Sequence, residues 1–129
     1  MSDMLATAFG SLAMMTSVLV SPDGLYEFEA AHGTVTRHYY RHLKGETTST
    51  NPMATIFAWT GALRQRGTLD DLPDLMQFAD RLEQASLMTI AQGKMTGDLT
   101  ALSSLANKQT LSTKEFIQAV RTNYEALAQ

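Results

Sequence analysis

The sequence predicts an α/β domain that spans residues 1–129 and contains a β-hairpin, a long polar loop and about three major helices. Two short runs rich in β-branched and aromatic residues flank a turn sequence near the start of the chain. After residue 50, helix-start signals precede segments with apolar residues at helical spacing. The length and the 44% hydrophobic content suit a single domain with its own core.

The hairpin is predicted from two strands, residues 17–20 and 25–29, joined by a Ser-Pro-Asp-Gly sequence. In that turn Pro22 fixes φ, and Gly24 can adopt the positive φ that a tight reversal requires. The spacing therefore favours an antiparallel pair.

The polar stretch after the hairpin, residues 30–50, has no period and is interrupted by Gly33 and Gly45. These features predict a long ordered loop with one helical turn at residues 39–43. Before the hairpin, residues 3–9 are predicted to form a short helix.

Two long helices are predicted next. Asn51 can cap the first, Pro52 suits its first position, and Gly67 is expected to end it. The second helix is predicted at residues 71–92, with Gly93 at its C-terminus. Its core face is expected to contain Leu75, Ala79, Leu82, Ser86 and Ile90.

The last helix begins with the sequence Ser-Thr-Lys-Glu, in which Ser112 and Glu115 have the spacing of a capping box. Its apolar stripe is predicted to contain Phe116, Ile117, Val120, Tyr124 and Leu127.

Composition excludes several classes of protein. A net charge of −3 and a pI near 5.5 argue against a dedicated nucleic-acid or anionic-membrane binder. The apolar stretch at residues 11–20 is too short to cross a bilayer. The chain has no Cys, which argues against a disulfide framework and is compatible with the cytoplasm. We therefore expect a soluble cytoplasmic protein with no nucleic-acid or membrane partner.

Residues 31–44 concentrate positive charge within an acidic chain. Gly33 permits close backbone approach, and Thr34 and Thr36 offer hydroxyl groups. The basic side chains of the segment are Arg37, His38, Arg41, His42 and Lys44. Because an Arg fork, a His donor and loop amides together suit a phosphate monoester, the segment outlines a local anion site.

Other interpretations of this segment stay open on residues alone. A polar loop can carry scattered basic residues without any ligand, which composition by itself favours. Tyr39 and Tyr40 between the basic residues are also found in nucleic-acid binders, although the acidic remainder argues against that class. His38 and His42 have the spacing of a zinc pair, but the sequence offers no Cys and no second ligand pair.

The string EAAHGTVTRHYYRHLKGETTSTNPMATIFAW, residues 29–59, resembles the cofactor segment of eukaryotic-type, homodimeric NADP-dependent isocitrate dehydrogenases. SDMLATAFGSLAMMTSVLVSPDG before it and MTGDL after it match in order and at similar spacing. The resemblance is most specific in HGTVTRH followed by STNP, and it fades toward Gln129. It implies the C-terminal part of the large domain of the isocitrate/isopropylmalate dehydrogenase fold. No GxGxxG dinucleotide fingerprint occurs in the sequence.

The resemblance implies that residues 30–51 bind the adenosine end of NADP. Arg37 and His38 correspond to the pair that grips the 2'-phosphate. An NAD-specific site would instead place a carboxylate there, which would repel a phosphate. Residues implied to surround the adenosine and its phosphates are His32, Gly33, Thr34, Val35 and Thr36.

Two further residues are implied at the adenine. Asn51 resembles the residue that hydrogen-bonds the ring, and this role is compatible with a helix cap because backbone and side chain have separate donors and acceptors. Asp98, in MTGDL, resembles a residue on the adenine side. An ordinary helix N-cap is the simpler expectation for Asp98.

The resemblance implies an incomplete metal site. Asp3 resembles the second of two aspartates that hold the divalent ion of this family, and the position of the first would lie before Met1. The family takes a third carboxylate from the neighbouring subunit. Because Mg²⁺ and Mn²⁺ need several oxygen ligands, we expect Asp3 to be vestigial and the metal to bind only in a complete enzyme.

The resemblance also implies that the catalytic parts lie elsewhere. The arginines that hold the substrate carboxylates, and the Tyr and Lys that transfer protons, belong to upstream regions of the family. We therefore expect no catalytic residue in this chain and no dehydrogenase activity from it alone.

Three roles are compatible with these expectations. The chain could be a portion of a split enzyme that needs a complementary N-terminal chain, a non-catalytic module that binds NADP(H) or a related 2'-phosphoadenosine, or a truncated remnant without function. Apolar faces left uncovered by a missing part would favour self-association, so a homo-oligomer is expected.

Overall fold

The computed structural model describes residues 16–32 and 35–129, and the α/β class is confirmed there. Predictions for Asp3, for a helix at residues 3–9 and for Gly33 and Thr34 lie outside these residues. The elements within the described ranges are β1 (Thr16–Val20), β2 (Tyr26–Ala30), α1 (Thr36–Leu43), α2 (Met53–Leu69), α3 (Pro73–Ala91), β3 (Lys94–Thr96), α4 (Gly97–Leu102), β4 (Gln109–Leu111) and α5 (Thr113–Leu127).

The predicted hairpin is confirmed. Strands β1 and β2 are antiparallel, with Thr16 opposite Ala30 and Val20 opposite Tyr26. The turn closes through the amide of Ser21, which donates to the Leu25 carbonyl at 2.9 Å. The hairpin packs on α2, where a Cβ at Gly61 would lie 2.7 Å from the Phe28 ring.

Helix α1 occupies eight residues of the loop predicted at residues 30–50. The single turn expected at residues 39–43 is instead an eight-residue helix that begins at Thr36 and is followed by Gly45, with φ +82°. None of its residues is buried. Its apolar residues, Tyr39, Tyr40 and Leu43, are exposed, and no side-chain cap marks its start, so the sequence carries little sign of its full length.

Helix α2 begins and ends slightly differently from the prediction. It begins at Met53, whose amide donates to Asn51 Oδ1 at 2.9 Å, so Pro52 precedes the helix. The prediction that Gly67 ends it was wrong, because the helix continues to Leu69. Gly67 is needed for packing, since a Cβ there would lie 2.6 Å from Met76 Cγ.

Helix α3 is confirmed with slightly shorter bounds, and Pro73 occupies its first turn. Ala79, Ser86 and Ile90 of its predicted core face are buried, and the two leucines are half-buried. Gly93 follows with φ +86° and leads into β3, which pairs in parallel with β4. These three-residue strands were not predicted, since they are too short to show a period.

Helix α5 begins with the predicted capping box. Ser112 Oγ accepts from the Glu115 amide at 3.2 Å, and the Ser112 amide donates to Glu115 Oε2 at 2.8 Å. One stripe residue was predicted wrongly, because Ile117 is 49% exposed. The core between α2, α3, α4 and α5 contains Met53, Ala85, Ile90, Met95, Leu99, Leu111, Phe116 and Val120.

Candidate functional site

Helix α1 arranges its basic residues on two sides. Arg37 and Arg41 are one helical turn apart, as are His38 and His42, so each pair shares one face. His38 borders two of the cavities that adjoin the helix. Because the segment is helical, its basic residues lie on defined faces, whereas the sequence alone showed only that they are close together along the chain.

The first cavity, called here the arginine cavity, has a volume of about 370 Å³. It is lined by Arg37, His38, Arg41, Thr47, Thr48, Ser49, Gly97 and Asp98. Both arginines and Asp98 are exposed, so the cavity is open to solvent. Two guanidinium groups and an imidazole offer donors to an anion, while the Asp98 carboxylate offers an acceptor for an amino group.

The second cavity, called here the asparagine cavity, has a volume of about 400 Å³. Its lining includes His32, Val35, Tyr39, Thr50 and Asn51, in addition to His38. Tyr39 is exposed and Asn51 is buried. This cavity combines an aromatic ring with polar groups, a combination that suits a nucleobase.

The His38 ring is held by a contact on one side. Its Nδ1 lies 2.6 Å from Thr50 Oγ1, and the His38 side chain is half-buried. Thr50 is itself tied to α5, because its amide donates to Thr113 Oγ1 at 2.7 Å and its carbonyl accepts from the same hydroxyl at 2.8 Å. Since Thr50 occupies Nδ1, a ligand in either cavity would meet Nε2.

The loop that closes the arginine cavity is fixed to the core. Ser49 Oγ accepts from the Gly97 amide at 2.7 Å and donates to the Leu111 carbonyl. These bonds join the polar loop before α2 to α4 and β4. Val35, at φ 51° directly before α1, is a β-branched residue in the left-handed region, a conformation that is costly and is often found at functional sites.

The expectation that Asp98 is a helix N-cap was wrong. Thr96 occupies that position, and Asp98 lies one residue inside α4. The Asp98 Oδ1 accepts from Thr96 Oγ1 at 2.8 Å. Asp98 also lines the arginine cavity.

The predicted site residues are distributed over the two cavities. The arginine cavity brings together Arg37, His38 and Asp98. The asparagine cavity brings together His32, Val35, His38 and Asn51. Thr36 is the exposed first residue of α1, and Gly33 and Thr34 lie outside the described residues.

Among the lining residues of the arginine cavity that the sequence analysis missed, Arg41 is the cationic one. Arg41 was counted as part of the basic cluster but was not assigned to the site. Its spacing of four residues from Arg37 was the available signal, but that spacing indicates a shared face only if the segment is helical.

Residues 16–32 and 35–129 contain no metal-binding cluster and no membrane-spanning helix. No group of three or more His, Asp or Glu side chains in that part of the chain could hold a metal ion. None of the helices described there combines the length and apolar character that crossing a membrane requires.

The chain was compared with known proteins. Residues 1–120 match the isocitrate/isopropylmalate dehydrogenase family. The chain is 53% identical over 126 residues to isocitrate dehydrogenase (NADP) of Sphingobium yanoikuyae, covering 97% of this chain and 31% of that protein. It is 52% identical over 130 residues to the mitochondrial isocitrate dehydrogenase (NADP) of Mus musculus, covering 96% and 29%.

A relative from Saccharomyces cerevisiae, also named isocitrate dehydrogenase (NADP), is 52% identical over 122 residues and is covered over 29% of its length. The chain therefore spans 29–31% of the length of these relatives. The match confirms what the segment at residues 29–59 implied, and this chain belongs to the isocitrate/isopropylmalate dehydrogenase family.

Proposed function

We propose that this chain is the portion of an NADP-dependent isocitrate dehydrogenase that binds the adenosine 2'-phosphate end of the cofactor. The observation that carries the proposal is that Arg37 and His38, adjacent on α1, line one cavity. NADP differs from NAD only in the 2'-phosphate, so a site that recognises it must supply cationic donors at that position. A guanidinium and an imidazole are such donors.

We assign the adenine ring to Asp98 and Asn51, which line the arginine cavity and the asparagine cavity. Asp98 is an acceptor in the same cavity as Arg37, and the exocyclic amino group of adenine is a matching donor. Asn51 already accepts a hydrogen bond from Met53 through Oδ1. A contact of the Asn51 side chain with adenine would therefore use Nδ2 as donor to a ring nitrogen. His32 and Val35 line the same asparagine cavity and would border the adenosine.

The proposed reaction belongs to the complete enzyme. In this family the complete enzyme oxidises and decarboxylates isocitrate to 2-oxoglutarate, and the names of the relatives agree with that activity. The matched part covers less than a third of those relatives. We propose that these 129 residues alone bind NADP weakly and catalyse no oxidation, because the substrate clamp and the proton-transferring Tyr and Lys belong to other parts of the family's chain.

A divalent ion would act only in the complete enzyme. In the family, Mg²⁺ or Mn²⁺ bridges isocitrate, and Asp3 would contribute one of its carboxylates. A single carboxylate is a poor ligand set for a hard cation. We therefore assign Asp3 to an incomplete site in this chain.

Partners are proposed from exposed apolar side chains. Val18, Leu19 and Val20 of β1 are 45–56% exposed, and Leu25 in the turn is 72% exposed. Trp59 on α2 is 64% exposed. A complementary N-terminal chain or a second copy of this chain would cover such a surface. We propose the cytoplasm as the location; the mouse relative carries the name mitochondrial.

The proposal is tested by calorimetry with two nucleotides that differ by the phosphate. We expect 2',5'-ADP to bind the chain more tightly than 5'-AMP, and the difference to shrink in high salt as charge is screened. Equal affinities would contradict the assignment of the 2'-phosphate. Binding of both nucleotides without any complementation of isocitrate oxidation by an upstream chain would favour the non-catalytic module.

A further inference from the structure

The arginine cavity contains a second guanidinium that the family resemblance does not assign. Arg41 follows Arg37 by one turn of α1, and both side chains line the cavity. The Arg41 side chain is 56% exposed. Because it lines the same cavity as Arg37, Arg41 is placed to contribute its charge to the proposed phosphate site.

Arg41 forms an ion pair with Glu46. Its Nε lies 2.7 Å from Glu46 Oε2, and the Glu46 amide donates to the Arg41 carbonyl at 3.1 Å. Glu46 lines a neighbouring groove together with Ser112 and Lys114. The carboxylate thus contacts Arg41 from outside the arginine cavity and engages the Nε side of the guanidinium. The fork formed by the two terminal nitrogens is the part that a phosphate would meet.

We propose that Arg41 is a specificity-determining residue for the 2'-phosphate and that Glu46 limits its contribution by neutralising its charge. This inference rests on the proposed function. Ion pairs between exposed side chains are weak, so a phosphate that carries more than one negative charge competes well for the guanidinium. The carboxylate of Glu46 also repels the incoming phosphate.

A purely structural role for the pair makes a different prediction. Arg41 and Glu46 close the turn after α1, and damage to that turn would weaken nucleotide binding whichever residue is changed. If the effect is electrostatic, the two substitutions must change the affinity for the 2'-phosphate in opposite directions. Replacing Arg41 removes a cation and weakens binding of the 2'-phosphate, whereas replacing Glu46 removes an anion and strengthens it.

The test compares Arg41→Gln and Glu46→Gln in the full chain, with 2',5'-ADP and 5'-AMP as calorimetric probes. Gln at position 46 can still accept the Arg41 Nε–H, so the turn keeps its hydrogen bond and loses only the charge. We expect Arg41→Gln to lower the affinity for 2',5'-ADP about two- to fivefold and Glu46→Gln to raise it by a similar factor. Affinity for 5'-AMP should change little in both variants.

A matched ion pair provides the control. Arg66 lies on α2, and Asp70 directly follows the helix. Both side chains are exposed, and Arg66 Nη2 lies 2.7 Å from Asp70 Oδ1. Arg66→Gln and Asp70→Asn change the net charge by the same amounts as the two test variants. They should leave the ratio of the two affinities unchanged, because neither residue lines the arginine cavity.

Arg37→Gln separates failure of this inference from failure of the proposed function. Suppose that Arg37→Gln reduces the preference for 2',5'-ADP, whereas the variants at positions 41 and 46 either have no effect or both weaken binding. The proposed role of Arg41 and Glu46 is then overturned, and the proposed function stands. If Arg37→Gln leaves the preference intact, or the parent chain shows no preference, both are overturned.

Discussion

The imidazole of His38 and the hydroxyl of Thr50 lie 2.6 Å apart, measured from Nδ1 to Oγ1. This contact joins α1 to the segment that precedes α2. Because Thr50 also exchanges hydrogen bonds with Thr113, the orientation of the His38 ring depends on the start of α5. The proposed phosphate site is thus positioned by residues far away in sequence.

Thr50→Val tests this dependence. The variant removes the partner of His38 Nδ1 at a part-buried site, so we expect a loss of about 1 kcal/mol in the free energy of unfolding. Affinity for 2',5'-ADP should fall about three- to tenfold, because the ring is no longer held toward the ligand. Calorimetry and urea unfolding measure the two effects.

Thr50→Ser keeps the hydroxyl and should retain most of the affinity. Thr122→Val is a matched control, since its hydroxyl donates only to a carbonyl of its own helix, that of Gln118. If Thr50→Val and Thr50→Ser bound 2',5'-ADP equally well, the hydroxyl would have no positioning role.

Gly93→Ala should destabilise the fold strongly. Gly93 has φ +86°, and an added Cβ would collide with the Asn107 carbonyl oxygen beside the β3–β4 pair. We expect a loss of at least about 2 kcal/mol in the free energy of unfolding. The comparison is Gly24→Ala, where φ is +84° but no atom lies within 4 Å of the added Cβ.

Gly24→Ala should cost only about 1 kcal/mol, from the backbone conformation alone. Similar losses for the two variants in urea unfolding would show that the contact with Asn107 carries no energetic weight.

The capping box at α5 predicts a pH dependence of stability. Two hydrogen bonds with Ser112 lower the pKa of Glu115 below its ordinary value of 4.5. The bond from the Ser112 amide has the larger effect, and the bond with the Ser112 hydroxyl has the smaller one. A group whose pKa is lower in the folded state contributes stability above its unfolded pKa and loses it as the pH falls through the folded pKa. That contribution is therefore complete at neutral pH and disappears below the ordinary Glu range.

Glu115→Gln removes this titration. The variant should be less stable than the parent at neutral pH, and the difference between the two free energies of unfolding should shrink as the pH falls below about 4. A difference that stays constant across this range would contradict a charged capping box.

How much of this structure was predictable depended on local sequence signals at the ends of each element. The hairpin and α5 were predicted because turn residues and a capping box bracket clear patterns. Helix α1 was not predicted at its full length, because no side-chain cap marks its start and Gly33 and Gly45 interrupt the segment on either side of it. Gly67 was misread as a helix end because its reason, close packing against Met76, lies in tertiary structure.

The same limitation affected the site. Arg37 and His38 were assigned from the family motif, whereas Arg41 was left out because its alignment with Arg37 requires the unrecognised helix. The family resemblance placed Asp98 near the adenine, and the local sequence predicted a helix N-cap. The N-cap prediction was wrong. Which residue caps α4 depends on β3, which ends at Thr96 directly before the helix and was too short to detect.

The exposed hairpin predicts association. Val20→Lys together with Leu25→Lys places charges on the apolar surface next to α2, where the parent residues are 56% and 72% exposed. We expect light scattering at micromolar concentration to show a homo-oligomer for the parent and a smaller species for this variant. Ile117→Lys, at a residue 49% exposed on α5, is the control and should not change the parent's state. A monomeric parent would contradict the prediction.

The central claim is tested most directly by nuclear magnetic resonance of the ¹⁵N-labelled chain, with side-chain signals of Arg37 and His38 assigned. Addition of 2',5'-ADP is predicted to shift the Arg37 Nε–H signal and the His38 Nε2 signal together, while 5'-AMP leaves the Arg37 signal in place. Shifts of equal size with both nucleotides, or shifts confined to residues outside the arginine cavity, would contradict recognition of the 2'-phosphate by these two side chains.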